Sequence, residues 1–476
     1  MGYHPGVEDD GIYLSAVKAD LNPALYPRDA DFFRLQVQAT LFDNFIADFV
    51  RVTRIPVPWA ELSWQFMSLY TILWAAHNIA QRVFPEAHVR WAGVALLAAM
   101  FTLPVAGTAL NLADQHLHPR NMATALILVA VDRVLARKRW QAGLLLVLAL
   151  VVHPIMAAFG ISFCAFLLVA LSDRFSAFSF GGGGVLAAGV LPGWMFEAPT
   201  PTWRRALNTR TYYFLYQWRW YEWLGAIGPL VLFWVVWRYA GRRGESWLGR
   251  FTWALLMYGI FQQSVAMILL APPGLIRVTP LQPMRYLHLE YVFLVLIGGC
   301  LLGRHVLRRR FWRWAVFLIA VNGGMLVSQR LMYPGTAGLE FPGRASANPW
   351  LQAFAWIRQN TPADAYFALD PEYLSKPGED YHSFRALADR SQLADAIKDA
   401  AVVTQVPELG PRWAEEVDAQ AGWRRFQARD FERLKARFGV DWVVVSYPPP
   451  AGLTCLWHNQ QISVCQLADA ARAPIP

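Results

Sequence analysis

The sequence predicts a polytopic α-helical membrane protein that carries a C-terminal soluble α/β domain. Three observations predict this fold class. Of the 476 residues, 55% are hydrophobic and only 16% are charged, whereas about a quarter of the residues of a soluble chain are usually charged. Long apolar stretches fill the middle of the chain, and mixed charge replaces them after residue 330. This composition excludes a disordered chain, a fibre and a small disulfide scaffold.

The formal net charge of +9 is unevenly distributed. Residues 1–50 contain three Lys or Arg against eight Asp or Glu, residues 51–330 contain 26 against nine, and residues 331–476 contain 14 against 17. The excess base therefore lies in the apolar middle, where short basic loops fix the topology of a membrane protein. We predict membrane lipids, and no nucleic acid, as partners.

Residues 1–61 form an acidic segment in which we predict amphipathic helices outside the membrane. Adjacent carboxylates at Glu8, Asp9 and Asp10 suit a general base or a divalent-metal site. Alternatively, they cap a helix that starts near Gly11. Because no apolar stretch precedes them to carry the segment across a membrane, we expect the native start to lie upstream, with one further membrane helix. Translocation of the tail by the helix at Leu62 is the alternative.

Residues 62–330 form the predicted transmembrane domain, with nine or ten helices. Several apolar stretches are shorter than the roughly 20 residues that cross a bilayer, and short helices survive at membrane depth only when they pack in protein or line a cavity. The stretches therefore indicate a bundle with an interior site. They are residues 62–80, 91–110, 122–135, 140–171 with a turn at His153-Pro154, 181–196, 221–239, 247–271, 286–303 and 312–327.

The orientation follows from the basic loops. One set of alternate loops carries more than twice as many Lys and Arg residues as the other, and the basic set is expected in the cytoplasm. The N-terminal segment and the C-terminal domain then both lie outside. We predict a multi-pass protein of the bacterial inner membrane, with its C-terminal domain on the periplasmic side.

Two of the predicted outside loops concentrate polar residues. Asp114, His116, His118 and Arg120 could bind a metal or anchor a phosphate, although a polar turn between helices is the alternative. The loop of residues 197–222 mixes arginines with Trp and Tyr, which suits lipid phosphates; an aromatic belt explains the rings alone. Candidate phosphate-binding residues are Arg120, Arg204, Arg205, Arg210, Arg219, Arg277 and Arg285. No His-Glu-x-x-His or Cys-x-x-Cys motif is present, which argues against zinc.

A linker of residues 331–347, rich in Pro and Gly, precedes the predicted soluble domain of residues 348–476. We predict helices at 350–359, 391–400 and 430–438 and strands at 365–369, 401–405 and 441–446. Residues 454–467 read as a hairpin in which Cys455 and Cys465 face each other and could form a disulfide outside the cytoplasm. Asp370, Tyr381, His382, Arg385 and Arg390 could contact an acceptor; alternatively, residues 384–390 form an exposed helix with ion pairs.

Short patches of this domain resemble a known family. The segment Trp356-Ile-Arg358-Gln-Asn360-Thr361-Pro362-Ala-Asp364 is similar to the stretch that opens the soluble domain of many GT-C superfamily proteins, and so is Phe438-Gly-Val-Asp-Trp-Val-Val-Val. These are integral-membrane glycosyltransferases that use polyprenyl-phosphate-linked sugars. The acidic motif in the first outside loop and the polar motif in the next agree with this resemblance. The sequence departs from the family pattern in lacking a helix before the first motif and in its His-rich second motif.

The resemblance implies an enzyme that moves a sugar from a polyprenyl-phosphate donor to a lipid, glycan or protein acceptor at the outer membrane face. It implies that Asp9 or Asp10 activates the acceptor or holds a metal, with Asp114 as the second acidic site and the outside arginines on the lipid phosphate. A divalent cation, Mg²⁺ or Mn²⁺, or no cofactor at all is expected. Its candidate ligands are Glu8, Asp10, Asp114, His116 and His118.

Two other functional classes stay open. A transporter or flippase would use charges in the middle of membrane helices, where Asp132 and Glu290 are the candidates. A noncatalytic protein of surface-polysaccharide assembly would keep the fold without needing the carboxylates.

Overall fold

Three groups of helices follow one another along the chain in the computed structural model, which describes residues 2–172, 195, 197–336, 338–376 and 380–467. The first group precedes the membrane helices and contains α1 (Asp10–Leu21), α2 (Asp31–Val37) and α3 (Phe42–Thr53). The second forms the helical bundle, and the third surrounds a sheet near the C-terminus. The predicted fold class is confirmed.

Among the described residues, four helical segments of the bundle are long and apolar enough to cross a membrane: Trp220–Arg243, Ser246–Leu270, Gly274–Leu307 and Phe311–Met332. Shorter apolar helices accompany them. In chain order the bundle helices are α4 (Val57–Val83), α5 (Ala87–Ala99), α6 (Pro119–Leu135), α7 (Arg139–Val152), α8 (Pro154–Ala170), α9 (Pro201–Asn208), α10 (Trp220–Arg243), α11 (Ser246–Leu270), α12 (Leu287–Leu302) and α13 (Phe311–Met332). The predicted stretch 181–196 lies outside the described residues, apart from Met195.

Two of the predicted apolar stretches of this bundle are interrupted within their length. At His153-Pro154 the long apolar stretch divides into α7 and α8, as predicted, because proline has no N–H to continue the helix. The expected helix over 91–110 is wrong in its second half, since α5 ends at Ala99. Pro104 instead begins a short strand, β1 (Pro104–Val105), paired with β2 (Leu110–Asn111). This turn leads directly into the polar loop before α6.

The soluble part is a five-stranded mixed sheet with helices on both faces. Its order is β4-β3-β5-β7-β6; the pairs β3·β4 and β3·β5 are parallel, and the pairs β5·β7 and β6·β7 are antiparallel. A disulfide joins Cys455 and Cys465 across the hairpin. The elements are α14 (Pro349–Asn360), β3 (Tyr366–Ala368), α15 (Phe384–Ala388), β4 (Ser391–Gln392), α16 (Lys398–Gln405), α17 (Gly410–Ala419), α18 (Ala428–Phe438), β5 (Trp442–Ser446), β6 (Thr454–His458) and β7 (Ile462–Gln466).

Residues 391–405 differ from the prediction of a helix followed by a strand. Ser391 and Gln392 pair with β3, and the helix comes afterwards as α16. Asp395 begins it, because its Oδ1 accepts hydrogen bonds from the backbone N–H groups of Ile397 and Lys398 at 2.7 and 2.5 Å. Tertiary burial of the helix thus overrides the β-propensity of its valines.

The N-terminal segment docks on the soluble domain rather than extending as a free acidic tail. Lys18 forms an ion pair with Asp389 at 2.6 Å. Arg385 is 4% exposed and bonds to both Asp29 and Asp399. The expectation that residues 384–390 are an exposed helix is therefore wrong, and Asp29 lies apart from the predicted acidic cluster.

Candidate active site

A cavity of about 380 Å³ lies where the bundle, the N-terminal segment and the soluble domain meet. Residues before and within α1 form one side, and the start of α8 forms another. The end of α2 and the residues after it, the loop after α9, the turn before α12 and α16 also line the cavity. Each part comes from a distant stretch of sequence, so the cavity exists only in the folded chain.

Asp9 presents its carboxylate to this cavity. It occupies the position just before α1, but its side chain makes no cap hydrogen bond. Its Oδ1 instead accepts a hydrogen bond from Lys398 Nζ at 3.0 Å, and its Oδ2 lies 3.7 Å from His118 Nε2. Lys398 Nζ also donates to Glu8 Oε2 at 2.5 Å. One ammonium therefore links two carboxylates from the N-terminal segment.

These contacts fix the charge states. Burial alone would raise the pKa of Asp9, but Lys398, His118 and Arg120 outweigh it and hold that pKa well below its usual value. Burial alone would lower the pKa of Lys398, but the carboxylates of Asp9 and Glu8 raise it above its usual value. At neutral pH the cavity thus contains an ionised Asp9 beside an ammonium.

The polar loop before α6 contains a buried ion pair between Asp114 and Arg120. Asp114 accepts two hydrogen bonds from Arg120, at 3.0 Å from Nε and 2.5 Å from Nη2. Burial alone would raise the pKa of Asp114, but Arg120 and His118 hold it below its usual value. Asp114 is 8% exposed and does not line the cavity. It therefore anchors Arg120 within the protein.

His118 connects this ion pair to the cavity. It caps α6, because its Nδ1 accepts the backbone N–H of Arg120 at 2.9 Å. Burial, assisted by the charge of Arg120, lowers the pKa of His118 to about 4. The ring is then neutral at pH 7, with its proton on the Nε2 that faces Asp9. Tyr13 packs edge-on against the same ring, at 4.9 Å between centroids.

The wall of the cavity also contains two guanidinium groups. Arg210 and Arg285 both line the cavity. Arg210 donates one hydrogen bond to the carbonyl of Ile397 just before α16. The Nε atoms of both arginines are buried, and neither has a hydrogen-bond partner among the described residues. Unpaired buried donors are costly, so these guanidinium groups keep donors available in the cavity wall, and their predicted binding of a phosphate stays a prediction.

The other predicted phosphate-binding residues lie elsewhere. Arg205 pairs with Asp418 at 2.7 Å, and Arg277 pairs with Glu197 at 3.2 Å. None of the remaining residues lines the cavity; they are Arg120, Arg204 and Arg219. The structure thus brings two of the seven candidates into the site.

The predicted acids and metal ligands also separate. Asp10 turns away from the cavity and accepts the backbone N–H of Gly6 at 2.5 Å. His116 is 3% exposed and does not line the cavity. In the part of the chain that the structure describes, no group of three or more His, Cys, Asp or Glu residues is placed to hold a metal ion. The catalytic and metal roles of these residues stay predictions.

Lys398 is the site residue that the sequence did not reveal. It lies in the stretch Ala-Asp-Ala-Ile-Lys-Asp-Ala-Ala, which reads as an ordinary amphipathic helix. Its partners Glu8 and Asp9 are about 390 residues away along the chain. No local pattern connects positions so far apart.

Comparisons with known proteins identify a similar solved structure but no family. No model of a protein family matches the chain, and no curated protein matches it. The chain is similar to the solved structure of the archaeal oligosaccharyltransferase AglB from Archaeoglobus fulgidus, in complex with an inhibitory peptide and a dolichol-phosphate. The identity is 13% and the TM-score is 0.41, over 93% of this chain and 66% of that one. The chain therefore spans about two thirds of the length of AglB.

At this TM-score the likeness carries no argument about the activity or the site residues.

Proposed function

We propose that the protein is a membrane glycosyltransferase that moves a sugar from a polyprenyl-phosphate-linked donor to an acceptor at the outer face of the membrane. One observation carries the proposal: a single cavity joins the ionised Asp9 to the buried, unpaired guanidinium donors of Arg210 and Arg285. A carboxylate suits the proton of an acceptor, and guanidinium groups suit a phosphate leaving group.

The chemistry follows from these two sides. The acceptor hydroxyl attacks the anomeric carbon of the sugar, a new carbon–oxygen bond forms, and the bond to the phosphate oxygen breaks. Asp9 takes the proton of the hydroxyl, and the electron pair of the broken bond leaves with the polyprenyl phosphate. Positive charge develops on the sugar as in other glycosyl transfers, while Arg210 and Arg285 stabilise the negative charge that develops on the phosphate.

The low pKa of Asp9 fits this role in one respect. A carboxylate with a lowered pKa is a weak base, but it is ionised at every physiological pH. It is suited to orient the hydroxyl and to receive its proton late, after the new bond has begun to form. Lys398 holds one carboxylate oxygen of Asp9 by a hydrogen bond, and His118 Nε2 lies 3.7 Å from the other oxygen.

The test measures transfer of radiolabelled sugar from polyprenyl-phosphate donors by the purified full chain in lipid vesicles. Asp9→Asn should lower kcat roughly 100-fold or more, because it removes the proton acceptor. The matched control is Asp48→Asn on α3, since Asp48 is exposed and pairs only with Arg51. Transfer by Asp9→Asn within about threefold of the wild type would contradict the proposal.

A second variant examines the phosphate side. Arg285→Gln should raise the KM for the donor by about 10- to 100-fold, the effect of losing a hydrogen bond to a charged group. Arg219→Gln is the matched control, because Arg219 is exposed and outside the cavity. An equal effect of both variants would assign the loss to general surface charge rather than to the cavity.

A further inference from the structure

Divalent cations such as Mg²⁺ and Mn²⁺ need several oxygen ligands that converge on one point. The acidic motifs of the sequence predict such a site. In the structure, the oxygens are already engaged by donors of the chain itself. Both oxygens of Asp114 accept from Arg120, and Asp10 accepts from Gly6. Among the described residues, moreover, no group of three or more His, Cys, Asp or Glu residues is placed to hold a metal ion, so the residues present do not fit a divalent cation.

The carboxylates of Glu8 and Asp9 converge on one point beside the cavity, and a side chain occupies it. Lys398 Nζ lies 2.5 Å from Glu8 Oε2 and 3.0 Å from Asp9 Oδ1. Lys398 is 9% exposed, so its ammonium is held within the protein instead of moving freely in solvent. A bridging position between two carboxylates is where a bound cation would lie.

The position of Lys398 is fixed by the start of α16. Asp395 holds the backbone N–H of Lys398, and Arg210 holds the carbonyl of Ile397. The soluble domain thus brings a cation to the acids of the N-terminal segment at a defined place. A lysine at an anchored helix terminus has a better-defined position than a long, flexible lysine on a free loop.

We propose that the ammonium of Lys398 takes the place of a divalent cation in this cavity, so that the protein bridges its acidic pair with its own chain and needs no bound metal. The part of this inference that concerns transfer rests on the proposed function. The part that concerns metal binding does not.

The ammonium of Lys398 leaves a different net charge at the acidic pair from the charge that a divalent cation would leave. Glu8, Asp9 and Lys398 together carry one net negative charge, whereas a divalent cation on the same two carboxylates would leave none. Asp9 thus keeps enough negative charge to attract a proton. The anionic leaving group cannot rely on these carboxylates and must be held by Arg210 and Arg285, which also line the cavity.

The experiment measures Mn²⁺ binding to the purified full chain by electron paramagnetic resonance, after dialysis against EDTA and without any substrate. The wild type should bind no Mn²⁺ at this site. Lys398→Met removes the ammonium at similar side-chain length, so one bound Mn²⁺ per chain should appear. The double variant Lys398→Met with Asp9→Asn should lose it again. Lys398→Arg keeps the positive charge and should bind none.

Lys376→Met is the matched control, because Lys376 pairs with the carboxylate of Asp370 at 2.8 Å, away from the cavity, and should gain no site. Binding of Mn²⁺ by the wild type that Asp9→Asn removes would overturn the inference, and this comparison does not require the Lys398 variants to fold. Absence of Mn²⁺ from a monodisperse Lys398→Met protein would overturn it as well.

A failure of the proposed function would be recognised separately. It would appear as absence of sugar transfer from every donor, with the Mn²⁺ results unchanged. Where transfer is observed, the wild type should keep it fully in EDTA, and its loss in EDTA would count against the inference.

Discussion

Asp9 and Asp10 differ by one position in the sequence but have opposite environments at the start of α1. Successive helical residues point about 100° apart, so one carboxylate faces the cavity and the other faces the protein interior. Charged partners hold the pKa of Asp9 well below its usual value, whereas burial raises the pKa of Asp10. The sequence could predict an acidic motif here, but the choice between its members depends on partners distant in the chain.

The capping histidine gives a prediction at the scale of the single residue. His118 has a pKa of about 4 in the folded chain and about 6.5 when unfolded. Between these values the unfolded chain binds more protons, so His118 should cost stability as pH falls from 6.5 to 4, in total about 3 kcal/mol. His118→Asn replaces the capping Nδ1 with a side-chain oxygen that can also cap the helix, and it should flatten the fall of the thermal midpoint over this range.

Tryptophan fluorescence of the detergent-solubilised protein measures this midpoint at each pH. His305→Asn serves as the control, because His305 is exposed and its loss should leave the wild-type dependence on pH. If His118→Asn showed the same pH dependence as the wild type, a neutral buried His118 would be ruled out.

At the scale of the element, helices with a clear apolar period and caps could be predicted, while α16 could not. The prediction at 350–359 corresponds to α14, and that at 430–438 corresponds to α18. In α16, the run Ala-Val-Val-Thr-Gln favours a strand by propensity, but Val402 and Val403 are both fully buried between α9 and the helices of the soluble domain. Only that packing makes the segment helical.

The contact between α9 and α16 provides the prediction at this scale. Trp203 in α9 is 3% exposed and donates its Nε1–H to the carbonyl of Thr404 in α16 at 3.1 Å. Trp203→Ala should lower the free energy of unfolding by about 3–5 kcal/mol, and Trp203→Phe by about 1–3 kcal/mol, since it leaves a carbonyl unpaired. Thermal or denaturant unfolding measures both losses.

Trp220 provides the comparison, because it is 76% exposed at the start of α10. Trp220→Phe should change the stability by less than about 0.5 kcal/mol. Equal losses for Trp203→Ala and Trp220→Ala would mean that α9 does not secure α16.

At the scale of the whole molecule, the division into membrane helices and a sheet domain follows from composition, but the docking of the N-terminal segment does not. Its acids look alike in the sequence, yet Asp29 binds Arg385 in the soluble domain and Asp9 binds Lys398. Such pairs join residues hundreds of positions apart, and no periodicity of the chain records them. The candidate site could therefore be located only in the folded structure, although its acidic motif could be recognised in the sequence.

The orientation of the whole molecule can be tested with cysteine labelling. Of the four cysteines, Cys164 and Cys300 are buried, and Cys455 and Cys465 are joined in a disulfide, so the wild type should react little with a membrane-impermeant maleimide. The basic loop between α6 and α7 is expected in the cytoplasm, and a disulfide is expected in an oxidising compartment. Arg433→Cys in the soluble domain should therefore be labelled in intact cells.

Lys138→Cys in the loop between α6 and α7 should react only after the membrane is permeabilised, because this loop is expected in the cytoplasm. Lys138 and Arg433 are both exposed in the folded chain. The ratio of labelling before and after permeabilisation reports the side directly and is independent of activity. The reverse pattern would place the soluble domain in the cytoplasm, where polyprenyl-phosphate sugars of the outer face could not reach the cavity. Because the cavity lies against the soluble domain, this single measurement decides which side of the membrane supplies both the donor and the acceptor.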